Sequence, residues 1–417
     1  MTSNVATPEQ APPGARARLL DLVNATEVDG RLLGMIVTLI AIEIGFGLYT
    51  GGSILSPVNL LTFATQAVQI AIIATGMVLV IVSRNIDLSV GSVLGVIAMT
   101  YAVLMHEVFP TTIGVDTPYG WLIALGVGLV LGILMGALQG FLIAYAKIPS
   151  FVVTLGGLLA FRGLVFDISG GSTQAPDDKQ FVVLGGSALG SLGGTVSWIF
   201  GGILVLAIAA YLFYNRRQRR KFGFPLRPMW AEVTLAVVGC AIVLGLAWFA
   251  NNNFLARSDT PAGLPYPIIL LIVVTLVMTF IATRRKFGRY VYAYGGNPDA
   301  AELAGINTRW TILKTYVVMG VLCALAGAVA AGRLNGATLD VGQSYELYVI
   351  AAAVVGGTSF AGGIGTIPGA VLGAFVMQAL AYGLSFLNVI SPGQNIAVGI
   401  VLIIAVGLDT YNRRRGS

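Results

Sequence analysis

Of the 417 residues, 56% are hydrophobic and only 10% are charged, with a formal net charge of +6. A water-soluble domain could not hide so much apolar surface, so the solvent for most of this chain must be lipid. The two cysteines, Cys240 and Cys323, lie inside apolar runs without metal-like spacing and read as small core residues.

Residues 1–30 are polar, with Pro8, Pro12 and Pro13 among them, and no hydrophobic stretch there ends in a small-residue cleavage site. They read as a cytoplasmic tail with no cleaved signal. Residues 31–412 read as one transmembrane domain. A span needs about 20 apolar residues to cross roughly 30 Å of hydrocarbon. Such runs occur near 32–48, 60–82, 88–105, 121–144, 151–166, 196–213, 233–249, 268–282, 312–331, 347–360, 369–387 and 397–408. The expectation is an all-α polytopic membrane protein with about twelve spans, several of them short, broken or tilted. With a cytoplasmic N-terminus, all of the 24 Lys and Arg residues fall on the inner side except Arg162, Lys179, Arg257 and Arg333. Both termini, including the basic tail 413–417, are therefore expected in the cytoplasm. The basic residues serve the lipid surface rather than nucleic acid, because they are dispersed among loops.

In the first span Glu43 lies about 18 Å along the helix from Arg31, at 1.5 Å per residue. It either touches a pathway or pairs with a neighbouring helix. After the second span, Asp87 in Ser83-Arg84-Asn85-Ile86-Asp87-Leu88-Ser89 can cap the next helix. Asn85, Asp87 and Ser89 could also present polar atoms at a broken helix facing a cavity. The fourth span repeats glycine at Gly128, Gly132, Gly136 and Gly140, and the ninth has Gly320, Ala324, Ala328 and Gly332. Such stripes let helices approach closely, within one subunit or, as the alternative, across a dimer seam. Gly91-Ser92-Val93-Leu94-Gly95 is echoed by Gly369-Ala370-Val371-Leu372-Gly373, which suggests an internal parallel repeat. Arg162 and Asp167 are five residues apart, a spacing that does not pair them along one helix. Residues 195–250 form a helix pair around the basic loop 215–230.

The polar stretch 284–311 is a cytoplasmic loop with a miniature helix inside it. Asn297 is an N-cap, Pro298 suits the first position, Asp299 and Glu302 favour the positive end, and Gly305 terminates it. Ala300, Leu303 and Ala304 form a small apolar face. A short rigid helix between spans suits a part that another protein grips. The chain has no engine of its own. No lysine follows a glycine, as a phosphate-binding loop requires. His106 is the one histidine, at the end of a span, and metal clusters are absent from the sequence. Three scattered intramembrane charges, Glu43, Arg162 and Asp167, make a poor ion relay.

Several motifs resemble those of the permease subunits of bacterial ribose- and xylose-type ABC sugar importers. Ile86-Asp87-Leu88-Ser89-Val90-Gly91-Ser92 is similar to their IDLSVGS signature, and Pro149-Ser150-Phe151-Val152-Val153-Thr154-Leu155-Gly156 with Arg162-Gly163 to a second. Gly288-Arg289, Gly295-Gly296-Asn297-Pro298-Asp299-Ala300-Ala301 and Gly305-Ile306 resemble a third. Gly356-Gly357-Thr358-Ser359, Gly362-Gly363-Ile364-Gly365-Thr366 and Pro368-Gly369-Ala370 resemble a fourth. The four occur in family order over roughly 59–168 and 287–408. The added pair at 195–250 resembles the longer xylose-type branch, which points to a pentose.

The resemblance implies a homodimer of two permease copies in the bacterial inner membrane. It also implies a cytoplasmic ATPase carrying ATP and Mg, and an extracytoplasmic sugar-binding protein that delivers the solute. This chain itself would bind no cofactor. Gly295, Gly296, Asn297, Pro298, Asp299, Ala300, Ala301, Glu302, Leu303, Ala304 and Gly305 would form the coupling helix. Asn85, Asp87, Ser89, Phe151 and Thr154 would line the pathway, with Glu43 and Arg162 as further candidates. The alternatives are an ABC permease for a branched-chain amino acid or nucleoside, or an ion-coupled secondary transporter.

Overall fold

The computed structural model describes residues 27, 29–176, 178–186, 190–252 and 261–416. Expectations for the tail up to residue 26, for Arg257 and for Ser417 fall outside these residues, as do those for the side chains of Arg413, Arg414 and Arg415. In chain order the helices are α1 Gly30–Tyr49, α2 Pro57–Val82, α3 Val90–Thr112, α4 Gly120–Ala144, α5 Ser150–Ser169, α6 Gly194–Lys221 and α7 Met229–Asn251. There follow α8 Tyr266–Arg284, α9 Lys286–Gly296, α10 Pro298–Leu303, α11 Thr308–Leu334, α12 Tyr345–Val355, α13 Ile367–Phe386 and α14 Ser391–Gly416. Ten of these are long and apolar enough to cross a membrane. The remaining two expected spans, 347–360 and 397–408, fall on shorter apolar helices, Tyr345–Val355 and Ser391–Ile404. Among the described residues the extended backbone amounts to two isolated bridges, Gln174 with Ala337 and Ser191 with Pro265.

The middle of the bundle is α2, 94% of whose most apolar stretch is buried. The glycine stripe of α4 packs on α11 inside the chain, and the two stripes meet where Gly132 faces Gly320 and Ala324. A side chain at Gly132 would meet the Gly320 carbonyl, one at Gly136 the Tyr316 carbonyl, and one at Gly140 the Leu313 Cα at 2.9 Å. Backbones that close leave no room for a methyl group, and dispersion over the full seam replaces hydrophobic drive. By contrast α6 and α7 pack largely on each other, with most of their side chains at least partly exposed. Their loop is tied by Arg216 to Glu232 at 2.7 Å and by Arg219 and Arg227 to Glu27 at 2.6 and 3.0 Å. The hydrogen bond from Arg219, with help from Arg227, holds the Glu27 carboxyl down at about 2.

Two elements are interrupted. Between α2 and α3, residues 83–89 have no regular structure, and α3 starts only at Val90. Between α11 and α12 the chain turns at Asn335, whose φ is 51°, and runs irregularly to Ser344, whose φ is 63°. The 11 residues of α12 rise about 16 Å, roughly half of a ~30 Å hydrocarbon layer. One end of α12 lies beside the C-terminus of α2, since Gly356 packs on Gly369 and Gly363 N–H donates to the Val82 carbonyl at 3.0 Å. Its other end therefore stops halfway through the bundle, where Gly342 packs on Gly91 at the start of α3. Each of the two echoed pentads uses both glycines for close approach to the backbone around α12. Gly91 and Gly95 face the carbonyls of Gly342 and Val341, while Gly369 and Gly373 face those of Gly356 and Ala352.

The α4–α11 seam makes a direct prediction. Gly132→Val destabilises the protein by about 1–3 kcal/mol or more, because the obstacle is backbone. Gly126→Val, on the same helix but with nothing within 4 Å, leaves the melting temperature in detergent unchanged.

Candidate functional site

At one end of the bundle three segments are bolted together by their backbones. Arg84 has a left-handed φ of 60°, which turns its side chain toward the end of α9. There Nε donates to the Gly295 carbonyl at 2.7 Å and Nη2 to the Gly296 carbonyl at 2.8 Å. A cation on the last carbonyls of a helix satisfies orphan acceptors and complements the dipole. The glycine-rich loop 356–366 closes the joint. The Tyr292 hydroxyl donates to the Gly365 carbonyl at 2.7 Å, and Arg31 donates to the Gly357 carbonyl at 3.0 Å. Burial at this joint pushes the Tyr292 phenol up to about 12.

From the joint hangs α10. Asn297 leaves helical geometry, and its side-chain oxygen accepts from Ala300 N–H at 3.0 Å. Pro298 opens the helix, Asp299 sits in its first turn, and Gly305 ends it with a φ of 78°. Asn307 then caps α11 by accepting from Trp310 N–H at 2.9 Å. Ala301 is buried, which anchors the helix, while Leu303 is 90% exposed with Ala300 and Ala304 beside it. An apolar side chain that exposed, on a helix fixed at both ends, is a surface suited to a protein partner.

Residues 83–89 run from this joint into the interior. Asp87, 2% exposed, accepts from Ser89 N–H at 2.9 Å and from Ser89 Oγ at 2.7 Å. Gln139 Nε2 on α4 donates to Ser89 Oγ at 2.7 Å. The Ile86 carbonyl accepts from Tyr316 OH at 3.3 Å and from Thr154 Oγ1 at 3.4 Å, and Ile86 N–H donates to Ser150 Oγ at 3.4 Å. Side chains from α5 and α11 thus satisfy a non-helical backbone in the middle of the protein, and one from α4 holds the Ser89 hydroxyl. Asp87 acts two residues before the cap, in a turn that holds Ser89, and it is Ser89 that occupies the cap position of α3.

The residues expected to line a pathway are dispersed. Asp87 borders a packed crevice with no room for water. Ser89 and Thr154 are fully buried, Asn85 bonds Ser83, and Phe151 lies 53% exposed on the surface of α5. Glu43 is half-buried, and neither of its carboxylate oxygens has a hydrogen-bond partner among the described residues. Arg162 borders an open cavity of about 360 Å³, where Nη1 donates to the Leu339 and Val341 carbonyls at 3.3 and 3.0 Å. Sequence reading missed the amides inside the spans. Gln139 holds Ser89, Gln378 donates to Gln66 at 2.9 Å, and Tyr345 OH donates to Gln69 at 2.8 Å. Neutral amides escape a search for charges, although a polar side chain within an apolar run is itself a signal. Among the described residues no group of three or more His, Cys, Asp or Glu residues could hold a metal ion.

Comparison with known proteins places this architecture. The family described as branched-chain amino acid transport system / permease component matches residues 59–406. The xylose transport system permease protein of Escherichia coli (strain K12) is 38% identical over 383 residues, covering 91% of this chain and 92% of that protein. Its counterpart in Haemophilus influenzae is 35% identical over 91% of this chain and 96% of its own length. The ribose import permease protein of E. coli is 30% identical over 84% and 85%. No solved structure matches.

The buried turn makes a paired prediction. Asp87→Asn retains an acceptor for Ser89 and changes thermal stability by less than about 1 kcal/mol. Asp87→Leu leaves the buried Ser89 N–H and the Ser89 hydroxyl proton without an acceptor and costs about 1–3 kcal/mol, measured by thermal unfolding of the purified protein.

Proposed function

Starting from a chain that belongs to the branched-chain amino acid transport permease family, we propose that it is the membrane-spanning subunit of an ATP-driven importer of a monosaccharide, with xylose as substrate. The observation that carries this reading is the 38% identity, over nearly the full length of both chains, to a xylose transport system permease protein. Ribose import and galactose/methyl galactoside import permeases at 30% and 29% widen the support to sugars as a class. The chain carries no phosphate-binding loop sequence of its own, so the energy enters from a separate ATPase that holds ATP and Mg. An extracytoplasmic binding protein delivers the sugar, and two copies of this permease form the pathway.

In this reading both termini are cytoplasmic, and so is the end of the bundle that carries Arg84, Arg289 and Arg309. The segment from Gly295 to Gly305 is the coupling helix. Its support is physical: α10 is rigid, exposed and apolar at Ala300, Leu303 and Ala304, and Arg84 ties its base to the turn that enters the protein interior. A push on α10 reaches residues 83–89 through two charge-assisted hydrogen bonds rather than through a flexible linker. Asn85, Asp87, Ser89 and Thr154 then belong to the moving wall of the pathway, with Arg162 facing the solute. The matched use of glycines by the two pentads supports a repeat in which each clasps one end of α12.

The test is assembly. Leu303→Asp changes an exposed side chain and leaves the fold intact, yet it is expected to weaken co-purification of the ATPase at least about ten-fold, as loss of an interface anchor does. Unchanged co-purification and unchanged uptake would contradict the coupling assignment. Isolated permease is expected to bind xylose only weakly, because selectivity resides in the delivery protein. Sub-micromolar binding by calorimetry would count against that division of labour.

A further inference from the structure

The irregular segment before α12 does more than interrupt a span. Arg162 takes the carbonyls of Leu339 and Val341, and an antiparallel bridge to Gln174 holds Ala337 by hydrogen bonds of 3.0 and 2.8 Å. Between and beyond those fixed points, Asp340 and Gln343 are left exposed. Two cavities, of about 470 and 360 Å³, both include Asp340, Gln343 and Ser344 in their walls. They are therefore the two flanks of one ledge, and each has the size of a site for a small ligand, in the range of roughly 300–1,000 Å³.

The flanks differ in chemistry. The larger one is walled by Tyr345, Tyr348, Gln378 and Gln394. Three of these are held in place, Tyr345 by Gln69, Gln378 by Gln66 and Gln394 by donating to the Val389 carbonyl at 2.8 Å. The smaller flank has Ser92, Arg162 and Glu346, and both Glu346 and Asp340 attract the Arg162 guanidinium. Amides, phenols and hydroxyls in such number cannot face hydrocarbon, where unpaired polar groups are costly. They need an occupant that offers many hydroxyl donors and acceptors and no net charge, with a ring that can lie against tyrosine.

We propose that this ledge, residues 340–344 with Gln378 and Gln394 facing it, is the transit site at which the permease holds a neutral polyhydroxylated solute, a monosaccharide, partway through the membrane. The proposal rests on the reading of the chain as a sugar permease and goes beyond it, because none of these residues except Arg162 belongs to the pathway set expected from sequence. The site is a low-affinity one. Each hydroxyl exchanges water for an amide, which is favourable enough to dwell and weak enough to leave. Left-handed backbone at Gly342 and Ser344, with φ of 75° and 63°, places the ledge at the start of α12.

The test uses the assembled importer, permease with its ATPase and binding protein, in proteoliposomes with radiolabelled xylose. Gln343→Leu and Gln394→Leu change partly exposed side chains, and each is expected to reduce uptake roughly ten-fold through lost hydrogen bonds to the solute. ATP hydrolysis stimulated by the loaded binding protein should stay within about two-fold of wild type, since assembly and coupling are untouched. Uptake at the wild-type rate in the double variant would overturn the assignment. Should a leucine variant fail to assemble, Gln343→Cys in a Cys240→Ser background decides. A membrane-impermeant thiol reagent is expected to label it and stop uptake. Labelling without effect on uptake would overturn the proposal, as would crosslinking of two permease copies through position 343 in place of labelling. If the wild-type complex moves no sugar while it hydrolyses ATP, the sugar reading fails and the ledge assignment with it. That outcome is distinct from the one in which only the ledge variants behave as wild type.

Discussion

A backbone that leaves helical geometry inside a hydrocarbon layer must find its hydrogen-bond partners in protein, because lipid offers none. This constraint organises the molecule. Residues 83–89 and 335–344 leave helical geometry between helices, and the start of α3 that follows the first meets the second where Gly91 packs on Gly342. The first is supplied by Ser150, Thr154, Gln139 and Tyr316 from three helices. The second is supplied by Arg162 and by the strand-like bridge to Gln174. Around them the chain uses glycine against carbonyl, so that α4, α11, α12 and α13 come close enough to exclude lipid from the breaks.

The same economy of contacts explains how force could travel. α2 is central and buried, and the turn just after it carries Arg84, which grips the last carbonyls of α9. Beyond that grip lies α10, and before it lies the turn that Asp87 and Ser89 hold shut. Nothing between the exposed Leu303 and the buried Asp87 is a long flexible segment. In the proposed importer a short connection of this kind would pass force from the partner ATPase to the turn, because energy spent on bending a linker does not reach the far end.

Much of this was legible in the sequence, for identifiable reasons. Span positions follow from hydropathy. The form of α10 follows from Asn297, Pro298 and Gly305, because caps act locally and do not wait for tertiary structure. The glycine stripe on α4 announced a close seam, and its partner is α11, where Gly132 meets Gly320. Other features were hidden because they are non-local. Residues 347–360 read as a full span, yet α12 covers half of one, since a descending segment of irregular chain supplies the rest. Arg84 looked like one more inner-surface cation, and only its left-handed backbone aims it at α9. Phe151 sits in a family-like motif but faces outward, because periodicity fixes which residues share a helix face and not what that face meets. The amides Gln66, Gln69, Gln139 and Gln378 carry no charge, so a search for buried ionisable groups passed over them.

The central claim is that ATP hydrolysis on another polypeptide moves a sugar through this chain. Its most direct test is uptake of labelled xylose into proteoliposomes holding the permease, its ATPase and the loaded binding protein, with no ion gradient. Accumulation is predicted only when ATP and Mg are on the ATPase side. Accumulation by the permease alone, driven by a proton or sodium gradient, would contradict the account.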